Sequence, residues 1–285
     1  MALCTLSELL RRARREGYAV GAFSVANMEM VAAIIEAAES LNAPVILQVA
    51  QCRLPESPLH LLAPMMLSAA RSARVPVAVH LDHGMTLPVI EQALEWGFTS
   101  VMYDGSALPL EENIKNTLRV MDMAAKRGAS VEAEIGSIGR TEDGGEAPMC
   151  VAREEDCLRF LAAAPVDALA VAIGNSHGLY ASAPHLHFDL IRRLACQTDT
   201  PFVFHGGTGI SQEDFRRMGP LGISKVNIAT SSFICAAKAY EQRHAGLYEK
   251  MRCVQDALRD NAREHILCFG SDGKALKGRG IQDAI

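Results

Sequence analysis

Nine histidines occur in the chain, and three of them, His83, His177 and His205, sit in the settings HLDHG, AIGNSHG and VFHGGTG. Three neutral imidazoles with a fourth position left open form the donor set of a catalytic zinc ion. One histidine beside a glycine is commonly a hydrogen-bonded loop residue. Three of them, each beside glycines that let backbone approach closely, point to a shared metal. Asp82 precedes His83, and alternation along a strand turns such neighbours to opposite faces, one toward metal and the other toward substrate. Asp82 is therefore a candidate proton carrier, its other role being an acceptor that orients a metal-bound imidazole. His80 shares the Asp82 face two residues deeper and reads as packing or as support for the ligands. Asp104 and Glu134 end two further apolar runs. They would add negative charge near the metal or serve as satisfied polar groups in the same mouth.

A second constellation suits anions. Gly206, Gly207 and Gly209 follow His205 and flank Thr208, so backbone N–H groups can form a nest with the threonine hydroxyl added. Asn227 opens the segment NIATSS at the start of a helical stretch, and the two segments pair as a phosphate site if both follow strands of a barrel. Neither GxxxxGK[ST] nor a strand-borne GxGxxG occurs, which excludes the usual nucleotide cradles. Arg53, in CRLPE, could bind a terminal phosphate, carboxylate or sulfonate through paired hydrogen bonds, or be a solvated loop cation. Arg279, in the tail, is the rival contact for that anion.

The elements that must carry these residues show as short β-branched runs at 19–25, 43–49, 75–81, 100–104, 130–135, 168–173, 201–206 and 224–230. Helical spacing fills the gaps at 28–41, 58–73, 87–95, 110–127, 154–164, 188–198 and 213–218. Strand–helix alternation implies a parallel sheet, and eight units close into a (β/α)8 TIM barrel, with a doubly wound open sheet as the rival. The barrel is favoured because Asn27, Arg53, Asp82, Asp104, Glu134, His177, His205 and Asn227 all follow or end strands, and a barrel brings those ends to one mouth. A single domain over residues 1–285 is expected, with a C-terminal extension at 236–285 that has helical spacing through 240–258 and then a loose tail. The glycine-rich, acidic stretch 136–150 follows strand five; a polar loop of that kind at a barrel mouth is functional or mobile.

Hydrophobic residues make up 49% and charged ones 21% of the 285 residues, a balance that can build a core and excludes a disordered chain. The net charge of −5 gives no reason to expect a nucleic-acid partner. No apolar stretch approaches a membrane span, the arginines near the N-terminus follow rather than precede a short apolar run, and the eight cysteines form no CxxC pair. These features point to the cytoplasm.

In order and spacing, Asn27, HLDHG, VEAEIGSIGRTEDG, AVAIGNSHGLY, FHGGTGI and KVNIAT resemble the class II, zinc-dependent ketose-bisphosphate aldolases over residues 5–275. The resemblance implies zinc on His83, His177 and His205, Asp82 as acceptor-side acid/base, and Glu142 handling the proton of the donor carbon. It makes Asp104 and Glu134 an alternative metal position. It assigns ketose and phosphate contacts to Asn27, Gly178, Gly206, Gly207, Thr208, Asn227 and Thr230, with a monovalent cation, Na+ or K+, beside the glycine loops. It also implies a homodimer or homotetramer. Ala229 and Ala181 depart from the Asp and Lys common in fructose-bisphosphate members, and NIAT is similar to the tagatose-bisphosphate branch.

The function expected is reversible cleavage of a ketose 1-phosphate, bearing a second phosphate or another terminal anion, to dihydroxyacetone phosphate and an aldehyde. A tagatose- or fructose-1,6-bisphosphate aldolase proper is the nearest alternative. A Schiff-base aldolase using Lys225 would leave the three histidines without a purpose. A catalytically silent, metal-dependent sugar-phosphate sensor would leave Asp82 and Glu142 without one.

Overall fold

Strand β1 (Val20–Ser24) pairs in parallel with β2 (Val45–Ala50) on one side and with β8 (Ile223–Ile228) on the other, so the sheet has no edge. The computed structural model, which describes residues 2–139, 149–180, 182–242 and 246–275, runs between them through β3 (Val77–Gly84), β4 (Ser100–Tyr103), β5 (Ser130–Ile135), β6 (Ala168–Val171) and β7 (Phe202–Phe204). The order is sequential and the barrel closed. An eight-stranded barrel leaves an interior that side chains alone can fill.

Period-two alternation decides what fills it. On β3, Val77, Val79 and Leu81 join the core between strands and helices, while Ala78 joins a separate interior cluster with Val20, Ala22, Ile46, Ala168, Ala170 and Val203. Higher in the barrel the inward positions turn polar: Gln48, His80, Asp82, Ser100, Glu132 and Lys225 are all buried. Apolar packing thus fills the N-terminal end, and hydrogen-bonding groups fill the end where the chemistry-bearing residues stand.

Helix α1 (Leu6–Glu16) was not expected from the sequence. Its apolar positions Leu6, Leu9, Leu10 and Ala13 repeat at helical spacing and pack on the interior cluster, while its arginines face outward or along the rim. A reciprocal capping box between Thr5 and Glu8 starts it and a left-handed Gly17 ends it. The outer helices are α2 (Met28–Ser40), α3 (Leu59–Ser72), α4 (Leu87–Trp96), α5 (Leu110–Ala125), α6 (Glu154–Ala163), α7 (Phe188–Ala195), α8 (Gln212–Leu221) and α9 (Thr230–Glu241).

The expected helix over 240–258 is corrected. α9 ends at Glu241, Gln242 turns to extended backbone, and α10 (Leu247–Cys268) starts afresh from an extended Gly246. Gly246 is the N-cap of α10, its carbonyl accepting from Lys250 N–H at 3.1 Å. α10 buries Val254, Leu258, Ala262 and Ile266 against α2 and α9, which makes it the C-terminal helical extension of the barrel.

Candidate active site

His83, His177 and His205 converge at the C-terminal mouth, with one ring nitrogen from each lying within 4.8 Å of the others. All three are buried. His205 follows β7 and His177 follows β6, as strand order requires, but His83 lies inside β3. Simple alternation would turn it outward, away from Asp82. Instead His83 has φ 44°, the left-handed region that non-glycine residues adopt at a cost of ~1–2 kcal/mol, and the β3–β4 register shifts between Leu81 and Gly84. The bulge turns His83 to the same side as Asp82: His83 Nε2 lies 2.9 Å from His205 Nδ1, which is 3.4 Å from the Asn227 amide that also holds Asp82. The expected divergence of these neighbours is therefore corrected, and the backbone strain sits where the site needs two successive inward side chains.

Each of two ligand candidates has its far nitrogen fixed by a carboxylate. Nδ1 of His83 donates to Asp104 Oδ2 at 2.7 Å, and Nε2 of His205 donates to Glu132 Oε1 at 2.9 Å. That leaves Nε2 of His83 and Nδ1 of His205 facing one another 2.9 Å apart. Two lone pairs at that separation require a positive charge between them. Burial opposes protonation of His83, but Asp82 and then Asp104 override it and raise its pKa well above the imidazole value. Burial and then the His83 charge push His205 well below it.

Asp104 and Glu134 stand at the same mouth, and each offers an oxygen within 4.8 Å of a His83 ring nitrogen and of the other. Burial alone would raise the Asp104 pKa, yet the hydrogen bond from His83 and those from Ser106 hold it well below the usual carboxylate range. Glu134 goes the opposite way: burial and the neighbouring Asp104 push it well above. Its Oε2 is buried without a hydrogen-bond partner.

Asp82 is held between two amides. Gln48 Nε2 donates to Oδ2 at 3.0 Å and Asn227 Nδ2 to Oδ1 at 3.1 Å. Gln48 Oε1 and Asn227 Oδ1 are buried and have no partner, and both residues line a narrow pocket shared with His177, Gly178, Gly206, Gly207, Thr208 and Thr230. The N-terminus of α9 opens on this pocket through Thr230. Thr208 Oγ1 accepts from the Ser231 N–H of that helix at 3.0 Å, so its hydroxyl links the glycine loop to the helix end. Gly206 has φ 68°, and a Cβ there would lie 2.2 Å from the Ser176 carbonyl oxygen; only glycine lets the loops after β6 and β7 come so close. Tyr180 staples the same loops, donating to Gly206 O and accepting from Ser176 N, both at 2.9 Å.

Asn27 is not among the residues lining this pocket. It is exposed, and its Oδ1 caps α2 by accepting from Met30 N at 3.0 Å, because an asparagine just before a helix satisfies an otherwise free first-turn amide. Arg53 lies in a single 3-10 turn after β2, its guanidinium 5.9 Å from the Phe233 ring centroid. It lines a cavity of about 230 Å³ that also takes in Ser24, Glu56 and Phe233. Ser24 accepts from Gln48 at 3.3 Å, so this cavity adjoins the Asp82 side of the site. Glu142, Ala181 and Arg279 lie outside the described residues.

Three residues were missed by sequence reasoning: Gln48, Glu132 and Tyr180. The signal for Glu132 was its two-residue spacing from Glu134 in SVEAEI, and for Gln48 a lone amide in VILQVA. Lys225, the Schiff-base candidate, faces into the barrel, but its ammonium is fully buried against Glu132 and His80. It is committed to an ion pair below the site.

The sequence profile described as fructose-bisphosphate aldolase class-II matches residues 4–274. The sulfofructosephosphate aldolase of Alkalicoccus urumqiensis is 37% identical over 284 residues, spanning 96% of this chain and 99% of that protein. The 6-phospho-5-dehydro-2-deoxy-D-gluconate aldolase of Bacillus velezensis is 38% identical over 291 residues, spanning 97% and 99%. The crystal structure of the YdjI aldolase from Escherichia coli K12 matches with a TM-score of 0.88 at 35% identity, over 96% of this chain and 100% of that one.

Proposed function

The chain belongs to the class-II fructose-bisphosphate aldolase family, and on that premise we propose that this aldehyde-lyase uses zinc on His83, His177 and His205 to cleave a ketose 1-phosphate whose far end carries a second anion. The observation that carries the reading is the 2.9 Å approach of His83 Nε2 to His205 Nδ1 with both opposite nitrogens bonded to carboxylates. That donor set fits a divalent cation, which would supply the positive charge the facing lone pairs demand. Zinc held there would supply Lewis-acid stabilisation of the negative charge that C3–C4 cleavage leaves on the donor.

The rest is done by the chain. Asp82, fixed by Gln48 and Asn227, takes the C4 hydroxyl proton as that oxygen becomes the aldehyde carbonyl. The electron pair of the broken bond stays with C3, and Glu142 returns a proton there, giving dihydroxyacetone phosphate. Gly206 and the N-terminus of α9 at Thr230 bind the 1-phosphate through backbone N–H groups, while the Gly207 N–H is taken by Asn227 O at 3.2 Å and braces the loop from behind. The buried acceptors Gln48 Oε1 and Asn227 Oδ1 accept from ketose hydroxyls, which removes the cost of leaving them unsatisfied.

Arg53 binds the remote anion in the cavity beside Phe233. The names of two relatives support this choice, since a sulfonate and a gluconate each carry an anion other than phosphate. Ala229 at the head of α9 argues against fructose 1,6-bisphosphate as the preferred substrate. Eight free thiols support a reducing, cytoplasmic setting. Exposed Tyr240, Leu247 and Tyr248 around the α9–α10 junction support a homo-oligomer. The test is a screen of zinc-loaded protein with dihydroxyacetone phosphate against anionic and neutral aldehydes, with chelation as the control. Turnover that survives complete metal removal overturns the zinc reading.

A further inference from the structure

Below the three histidines the barrel interior holds a fully buried ionic chain. Lys225 Nζ donates to Glu132 Oε2 at 2.6 Å and to His80 Nε2 at 3.1 Å, and Nδ1 of His80 bonds Ser100 Oγ at 2.7 Å. Glu132 Oε1 accepts from His205 Nε2 at 2.9 Å. Glu132 and Lys225 are each 0% exposed, and neither touches the pocket that would hold substrate. Burying this pair is costly unless its geometry is used.

We propose that Glu132 and Lys225 form a positioning pair that fixes the tautomer of His205, so that its Nδ1 lone pair is the one offered to the metal. The inference rests on the zinc reading of the three histidines. An ammonium has no lone pair, so whatever faces Lys225 must accept. Lys225 therefore claims one oxygen of Glu132, and the carboxylate still has a second oxygen to accept the His205 Nε2–H. With that proton on Nε2, Nδ1 is left free to bind metal.

This logic gives an unusual substitution pattern. In Glu132→Gln the single carbonyl oxygen must face Lys225, which turns the NH2 group toward His205 Nε2. That nitrogen must then accept, and the ring proton moves to Nδ1, the atom needed as ligand. Adding Lys225→Met removes the demand for an acceptor. The amide can then reverse, present its oxygen to His205, and aim its NH2 at His80 Nε2, which lies 3.6 Å from Glu132 Oε2.

Zinc affinity measured by chelator competition should therefore fall by about 10–100-fold in Glu132→Gln, the usual effect of losing such a partner, and recover largely in Glu132→Gln/Lys225→Met. The visible spectrum of the cobalt-substituted protein should shift in the single variant and return in the double. Unchanged affinity and spectrum in Glu132→Gln, or equal loss in both variants, overturn the proposal. Should Glu132→Gln fail to fold, the wild-type protein decides: 15N NMR of the metal-free, full-length chain should show His205 protonated at Nε2, and protonation at Nδ1 overturns the proposal. Failure of wild-type protein to bind zinc at the three histidines would instead sink the reading on which this rests.

Discussion

The side-chain amide of Gln48 donates to Oδ2 of Asp82 at 3.0 Å, which orients the carboxylate from the neighbouring strand β2. Asp82→Asn should keep its zinc while cleavage falls by about 10²–10⁴-fold, the contribution of a positioned acid/base. Gln48→Leu should lower kcat by about ten- to a hundredfold, the value of one hydrogen bond to a charged group, with zinc content unaltered. Steady-state kinetics beside metal analysis separates the two effects; full activity in Asp82→Asn would remove that residue from the mechanism.

Replacing His83, His177 or His205 by Ala should each abolish tight zinc binding, because three protein ligands are the minimum of a catalytic site. Metal content after dialysis is the readout. A single variant that retains stoichiometric zinc would take its histidine out of the ligand set.

Glu142→Ala should slow solvent exchange of the donor-carbon proton of dihydroxyacetone phosphate more than it weakens binding. Deuterium incorporation followed by NMR measures the first and equilibrium titration the second. Normal exchange counts against Glu142 as the proton carrier.

Arg53→Ala should erase the preference for anionic over neutral aldehydes, with kcat/KM for anionic ones falling by about ten- to a hundredfold, since a charge-assisted pair at a partly buried site is worth that much. If fructose 1,6-bisphosphate gave the highest kcat/KM of a substrate panel, the argument from Ala181 and Ala229 would fail.

Alkaline stability carries a signature of the buried acids. Burial pushes the Cys157 thiol and the Tyr18 and Tyr180 hydroxyls each up to about 12. Their unfolded values lie lower, near 9 for the thiol and 10 for the phenols, so the unfolded chain loses these protons first. The stability they contribute is complete below pH ~9 and falls as pH rises toward 12. Urea unfolding at pH 8 and 11 should show a lower midpoint at the higher pH, and Tyr180→Phe should flatten the slope while loosening the Ser176–Gly206 staple.

The barrel and its mouth were legible because strands and helices differ in hydrophobic period, and because His, Asp and Asn at the ends of apolar runs mark one end of the sheet. Partners that meet across the barrel were less so. Glu132 finds Lys225 93 residues later, and nothing local in SVEAEI announces it. Gln48 looks like a flaw in an apolar strand until Asp82 and Ser24 are placed around it. Asn27 carries a role that its neighbours in sequence do announce: it stands just before a helix start, and its oxygen caps α2, beside the ligand contact that the family resemblance implies for it. The inward turn of His83 was out of reach, since a register shift is a property of two strands together.

Helix α1 is the first element of the chain, yet its apolar face packs on Ala168, Ala170 and Val203, and its Ser7 N–H bonds Ser130 Oγ across 123 residues. During synthesis this helix emerges long before its socket exists, so it must wait, amphipathic and undocked, until all eight strands have been made, since β8 is part of that socket. Docking and ring closure then become one late event that carries a large loop-closure entropy. The same connection works in reverse: the ring cannot open at that end while α1 is seated, so the helix that arrives early and docks late acts as a kinetic latch on unfolding.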